Sequence, residues 1–132
     1  MYSLIRSSYY MVAAKFYTFF MKSWITQLRK GLLEYCILSV LRRQEGYGYE
    51  VVIRLKSIDG LVVTESTVYP ILSRLKRDGH LQVRSEPSPS GPPRRYFSLT
   101  SLGKQHLQSM DTYWDALNIS ISNLRTNPIQ KS

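Results

Sequence analysis

Cysteine occurs once in the 132 residues, at Cys36. A single thiol excludes an internal disulfide framework and fits a reducing compartment, so a cytoplasmic location is expected. Cys36 lies in an apolar run, where a buried structural thiol is expected in preference to a nucleophile. Histidine is nearly as scarce: His80 and His106 stand far apart in the chain, too few for a zinc site at any recognisable spacing, and no metal is expected. No apolar run approaches the roughly 18 residues that a membrane-spanning helix needs. A Gly-rich phosphate loop, a Ser/His/Asp arrangement and a paired-carboxylate pattern are all missing, so neither an enzyme nor a cofactor is expected. No internal repeat is visible.

Acidic residues are the remaining shortage. Nine Asp and Glu stand against 18 Lys and Arg, a net charge of +9. That balance favours a polyanionic partner, nucleic acid first and an anionic membrane surface second. The excess is localised. Residues 66–99 carry Arg74, Lys76, Arg77, Arg84, Arg94 and Arg95 against Asp78 and Glu86. Residues 102–125 balance Lys104 and Arg125 against Asp111 and Asp115.

The length suits one domain, or one domain plus an arm. Residues 1–21 are aromatic-rich and hold Arg6 and Lys15 but no acid. Met21-Lys22 looks like a natural chain start, so 1–21 are expected to be an accessory extension, poorly ordered or packed as an extra helix on a dimer. From Ser23 a helical pattern runs to about Gln44. Leu28, Leu32, Tyr35, Cys36, Ser39 and Val40 mark one side, and Leu33, Ile37, Leu38 and Leu41 widen it. Gly31 is a weak spot within it. Tyr47 to Ile58 suits a second helix on Tyr49, Val52, Ile53 and Leu55. Asp59-Gly60 is a turn, and Leu61-Val62-Val63 a brief extended segment.

Thr64 to Leu81 carries the densest signal. Its opening hydroxyl and acid residues have the composition of a helix start. Val68, Ile71, Leu72 and Leu75 recur at helical spacing, and Asp78-Gly79 supplies a stop. Pro70 leaves two starts open: one near Ser66 that puts it in the first turn, or a Thr64 cap with a bend at the proline. Leu81 to Ser85 alternates like a strand. Glu86 to Pro93 is too rich in Pro, Ser and Gly for helix or central strand, and Arg94 to Leu99 returns as a strand. Thr100 is a plausible cap for a last helix, which Asn127-Pro128 closes. Leu107, Met110, Trp114, Leu117, Ile121 and Leu124 form a heptad-like seam on it.

Helix, helix, basic helix and β-hairpin is the order of a winged helix–turn–helix, a mostly α fold with a two-stranded wing. Its logic is physical: a helix end enters the major groove, roughly 12 Å wide, while neighbouring groups hold phosphates. Thr67, Tyr69 and Ser73 would approach bases or phosphates. Arg74, Lys76 and Arg77 would serve phosphates, and Arg94 and Arg95 would flank a wing. Tyr47 and Tyr49 could reach phosphates through their hydroxyls, or one could pack beneath the recognition helix. A solvated surface charge is the alternative for each Arg and Lys.

The motifs in order are Gly31-Leu32-Leu33-Glu34 with Ile37-Leu38, then Tyr47-Gly48-Tyr49-Glu50. Ser66-Thr67-Val68-Tyr69-Pro70 follows, with Leu72, Arg74-Leu75 and Asp78-Gly79. Last come Arg94-Arg95-Tyr96-Phe97, Leu99-Thr100, Gly103 and Trp114. From about Leu28 to Leu124 the chain thus resembles the PadR-like transcriptional regulators, with Ser66 where that family usually has Gly or another small residue. The resemblance implies a DNA-binding homodimer, usually a repressor, that a small molecule or other signal releases. It places Ser66 and Pro70 in the DNA-binding helix. It divides the chain into a winged-helix domain over 22–100, a dimerisation helix over 101–126 joined by the first helix, and a polar tail over 127–132. It also implies a small hydrophobic or aromatic effector at Trp114, with a plain dimer-core aromatic as the alternative. Other readings of the same residues are a winged-helix protein-interaction module and a peripheral membrane protein using 1–20.

Overall fold

A computed structural model describes residues 21–126. The expectations for residues 1–20 and for Asn127-Pro128 and the tail lie outside the described residues. In chain order come α1 (Lys22–Arg43), β1 (Gly46–Tyr47), α2 (Gly48–Lys56), α3 (Glu65–Arg77), β2 (Leu81–Ser88), β3 (Gly91–Leu99) and α4 (Ser101–Thr126). The fold is a mostly helical winged helix with one small antiparallel sheet of order β1-β3-β2. The chain divides into two compact units within α1, after Glu34. In the first, the described part is the start of α1, where the Thr26 hydroxyl donates to the Lys22 carbonyl at 2.8 Å and Trp24 and Leu28 are exposed. The helix runs through Gly31 without a break.

The second unit holds the remaining elements. Its core combines Ile37, Leu38 and Leu41 of α1 with Val51, Val52 and Leu55 of α2, Val68, Leu72 and Leu75 of α3, Phe97 and Leu99 of β3, and Leu107 of α4. Two sequence expectations change here. In α1 the inward sector is Ile37, Leu38 and Leu41, while Tyr35, Cys36, Ser39 and Val40 are only half-buried. In α2, Ile53 is exposed and Val51 takes its place. A helix apolar over most of its circumference does not announce which sector faces inward.

Two boundaries also differ, and two further segments are as the sequence allowed. The second helix starts at Gly48, because Gly46 and Tyr47 pair with Phe97 and Tyr96 as a two-residue strand. Two residues are too short for alternation to reveal. Leu61 to Val63 lies outside any helix or strand, with Leu61 and Val63 buried and Val62 exposed. The hairpin is longer than expected, with Glu86–Ser88 in β2 and Gly91–Pro93 in β3, leaving a turn of Pro89 and Ser90. At that end β3 has β2 on one side only, since β1 reaches only Tyr96 and Phe97. Pro92 and Pro93 therefore fit there, and a register shift between Glu86 and Ser88 takes up the irregularity. Finally, α3 takes the earlier start: Thr64 is its N-cap in extended conformation, and Pro70 lies inside the helix at its sixth residue. Pro70 has no N–H to donate to the Ser66 carbonyl, and both residues are exposed.

The cap of α4 is as expected. The Thr100 hydroxyl accepts from Gly103 N at 3.0 Å and donates to the Gly79 carbonyl at 2.6 Å, while Thr100 N donates to the His80 carbonyl at 3.1 Å. One threonine thus ties the start of α4 to the end of α3.

Candidate nucleic-acid interface

Because Val68, Leu72 and Leu75 point α3 inward, Ser66, Thr67, Tyr69, Pro70, Ser73, Lys76 and Arg77 are left exposed on its other side, with Arg74 half-exposed. The first turn is knitted by hydroxyls: Thr64 Oγ1 lies 2.9 Å from both Ser66 Oγ and Thr67 Oγ1. The last turn closes as a Schellman motif. His80 N donates to the Leu75 carbonyl at 2.9 Å and Gly79 N to the Lys76 carbonyl at 3.1 Å, with Gly79 at φ +84°. Both ends of the helix are therefore held.

Tyr69 is seated by a glycine. A Cβ on Gly48 would lie 2.5 Å from Tyr69 Cε1, so the ring occupies the space that any other residue would fill. Burial, then the nearby Glu65 and Tyr49, raises the Tyr69 pKa. Tyr47 lies against the sheet. Its ring meets Tyr96 edge-on at 5.7 Å, with the Arg94 guanidinium 4.8 Å from its centroid. Tyr49 is exposed.

The cations of the middle stretch separate into engaged and available groups. Arg84, counted in the positive excess, is bound by Glu45 and Glu86, and those carboxylates, Glu45 foremost, raise its pKa further. It stacks on Tyr96 at 4.6 Å and so braces the sheet. Arg74 pairs with Asp78 at 3.5 Å, an exposed i,i+4 pair of modest worth. Lys76, Arg77, Arg94 and Arg95 make no salt bridge among the described residues. Strand alternation then separates the two wing arginines. Arg95 shares the face of β3 that carries Phe97 and Leu99 toward the helices, whereas Arg94 shares the outer face with Tyr96. Ser73, Lys76, Arg77, Arg95 and Phe97 line a groove of about 300 Å³ between α3 and β3.

On α4 the heptad-like seam is divided by burial. Leu107 is 0% exposed and belongs to the core of its own chain, so it is not available to a partner. Beyond the half-buried Met110, Trp114 is 38%, Leu117 38%, Ile121 45% and Leu124 80% exposed. At the base of this strip the Tyr35 hydroxyl donates to Asp111 Oδ1 at 2.5 Å, and Arg42 pairs with Oδ2 at 2.5 Å. Arg42 and Tyr35 hold the Asp111 carboxyl below its usual range, and the bond to Asp111 pushes the Tyr35 pKa to about 12. The Tyr35 and Trp114 rings lie 6.2 Å apart.

His80 and His106, expected to be remote, stack at 4.3 Å. They are still only two, and no group of three His, Cys, Asp or Glu could hold a metal among the described residues. Sequence reasoning missed the roles of Gly48, Tyr96 and Glu45. The Tyr47-Gly48-Tyr49-Glu50 motif held the first of these, but its partner lies 21 positions away in α3. Among the described residues, no helix is long and apolar enough to cross a membrane.

The family model described as the transcriptional regulator PadR-like family matches residues 37–109. Among solved structures, a PadR-like transcription factor from Bacteroides fragilis is 38% identical, with a TM-score of 0.66 over 75% of this chain and 95% of that one. A PadR family transcriptional regulator from Eggerthella lenta is 29% identical, with a TM-score of 0.75 over 85% of this chain and 97% of its own. A PadR-like transcriptional regulator from Bacillus cereus is 30% identical, with a TM-score of 0.70 over 77% and 99%. An uncharacterized protein from Lysinibacillus sphaericus is 28% identical over 87 residues, 64% of this chain and 80% of that one. With its basic α3 beside a three-stranded sheet that carries the wing, and its family model spanning more than half the sequence, the chain belongs to the PadR-like family of transcriptional regulators, which are not enzymes.

Proposed function

We propose that the protein is a cytoplasmic, homodimeric repressor that binds specific duplex DNA through α3 and the wing. The observation that carries this is the outward face of α3. Ser66, Thr67, Tyr69, Pro70 and Ser73 present short polar and aromatic groups, and Lys76 and Arg77 continue the same surface toward Arg95. In this reading the amino-terminal half of α3 reads base edges in the major groove, Arg74, Lys76 and Arg77 hold phosphates, and Arg94 and Arg95 position the wing. Tyr47 and Tyr49 assist at the backbone.

Residues 22–100 form the DNA-binding part and 101–126 the dimerisation helix, joined by α1. The strip Met110, Trp114, Leu117, Ile121 and Leu124 supports this, because an apolar row on water calls for a partner. Two α3 helices would then address half-sites about one turn apart, roughly 34–36 Å between centres. The effector is a small hydrophobic or aromatic molecule lying against Trp114, where the Tyr35 ring supplies a second aromatic wall. Selection of bound duplexes from a random pool tests the reading. Enrichment of a two-fold symmetric site is expected, and failure to retain any duplex at low salt would sink it.

A further inference from the structure

We propose that the groove between α3 and β3 seats a single phosphate of the bound duplex, held jointly by Lys76, Arg77 and Arg95. This rests on the DNA-binding reading and gives the two wing arginines unequal roles. Ser73, Lys76 and Arg77 are spaced i, i+3 and i+4, so they share one face of α3. Arg95 comes to meet them from β3 because strand alternation puts it on the face of Phe97. Among the described residues no carboxylate lines the groove, and Asp78, the acid at this end of α3, is engaged by Arg74. The volume of about 300 Å³ admits a phosphate group with a few waters, each of which takes roughly 30 Å³.

The chemistry of the lining selects for that anion. Two guanidinium forks match phosphate oxygens with paired N–H donors, Lys76 adds a point charge, and the Ser73 hydroxyl adds a neutral donor. Phe97 floors the groove, 6.0 Å from the Arg95 guanidinium, and an apolar floor strengthens the attraction between charges above it. The groove lies at the carboxyl end of α3, where the helix dipole contributes roughly half a negative charge. Three full positive charges outweigh that. Arg94 is excluded from the seat by the pleat: it lies over Tyr47 on the opposite face of the strand.

The test uses the full chain and a 24-base-pair duplex, with affinity measured by fluorescence anisotropy between 50 and 200 mM salt. Arg95→Ala and Arg77→Ala are each expected to weaken binding about tenfold and to flatten the logarithmic salt slope by up to about 0.9, one phosphate contact. Because both address one phosphate, the double variant should fall short of the product of the two losses by at least about threefold. Arg94→Ala combined with Arg77→Ala should multiply within about twofold. If the wild type binds but the Arg77 and Arg95 losses simply multiply, the shared seat is wrong and the DNA reading stands. In a second arm, inorganic phosphate is titrated against the isotope-labelled protein. Shifts at Ser73, Lys76, Arg77 and Arg95 that vanish in Arg95→Ala support the seat even if no duplex binds; the absence of shifts there overturns it.

Discussion

Gly103 is the third residue of α4 and faces the backbone of His80. A Cβ placed there would lie 2.1 Å from the His80 carbonyl oxygen and 3.0 Å from its carbon. Both atoms belong to backbone, which the Schellman closure of α3 and the Thr100 bridge hold in place. Gly103→Ala therefore forces the start of α4 back by more than an ångström. That movement stretches the bonds from Gly103 N to the Thr100 hydroxyl, from that hydroxyl to Gly79, and from Thr100 N to His80, now at 3.0, 2.6 and 3.1 Å. Overpacking costs about 1–3 kcal/mol, and each hydrogen bond lost about 0.5–1.5. Against this, Ala is the better helix former by about 1 kcal/mol. With two of the three bonds lost, these ranges net to a destabilisation of about 1–5 kcal/mol. Urea unfolding followed by circular dichroism, at one fixed protein concentration because dimerisation would couple to folding, measures it. Gly31→Ala is the matched control: it lies inside α1 and, beyond its own helix, no described residue comes within 4 Å of the added carbon, so a gain of up to about 1 kcal/mol is expected. If Gly103→Ala falls within 0.5 kcal/mol of wild type, or if both substitutions cost the same, the clash argument is refuted.

Three further outcomes follow from the structure. Gly48→Ala should displace the Tyr69 ring, which sits at the end of a flexible side chain, for less than about 1 kcal/mol of stability. It should lower affinity for a selected duplex at least about fivefold while leaving a scrambled duplex within about twofold, and equal losses on both would contradict a reading role for Tyr69. Leu117→Asp places a charge on the exposed strip of α4, so sedimentation should find monomers with wild-type helical content; a variant that stays dimeric would assign that strip elsewhere. Tyr35 ionises near 12 instead of 10 because its hydroxyl donates to Asp111. Its folded pKa is raised, so its contribution to stability is intact below about pH 10 and is lost as pH rises through about 12. The Tyr35 ring carbon signal should titrate late in the wild type and earlier in Asp111→Ala, and an unchanged midpoint in the variant would rule out the bond as its cause.

The sequence determined the kind of protein through patterns that are local. Val68, Leu72 and Leu75 at helical spacing, Asp78-Gly79 as a stop, Thr100 as a cap and the basic excess over 66–99 each depend on neighbours a few residues apart, and each survives in the fold. Together with the ordered motifs they were enough for the winged helix and the family. Periodicity does not settle which sector of a broadly apolar helix turns inward, and in α1 and α2 tertiary packing selects it. Nor does periodicity settle which charges are already spoken for. Arg84 and Arg95 look alike in the chain, but pairing with Glu86 and with Glu45, 39 positions away, engages the first. Tyr69 depends on Gly48, and Leu107 of the heptad-like seam belongs to the core. Arg94 and Arg95 are adjacent in sequence and opposed in space, since the pleat of β3 sends one to Tyr47 and the other to α3. Composition supplied the cations; long-range packing decided which of them meet.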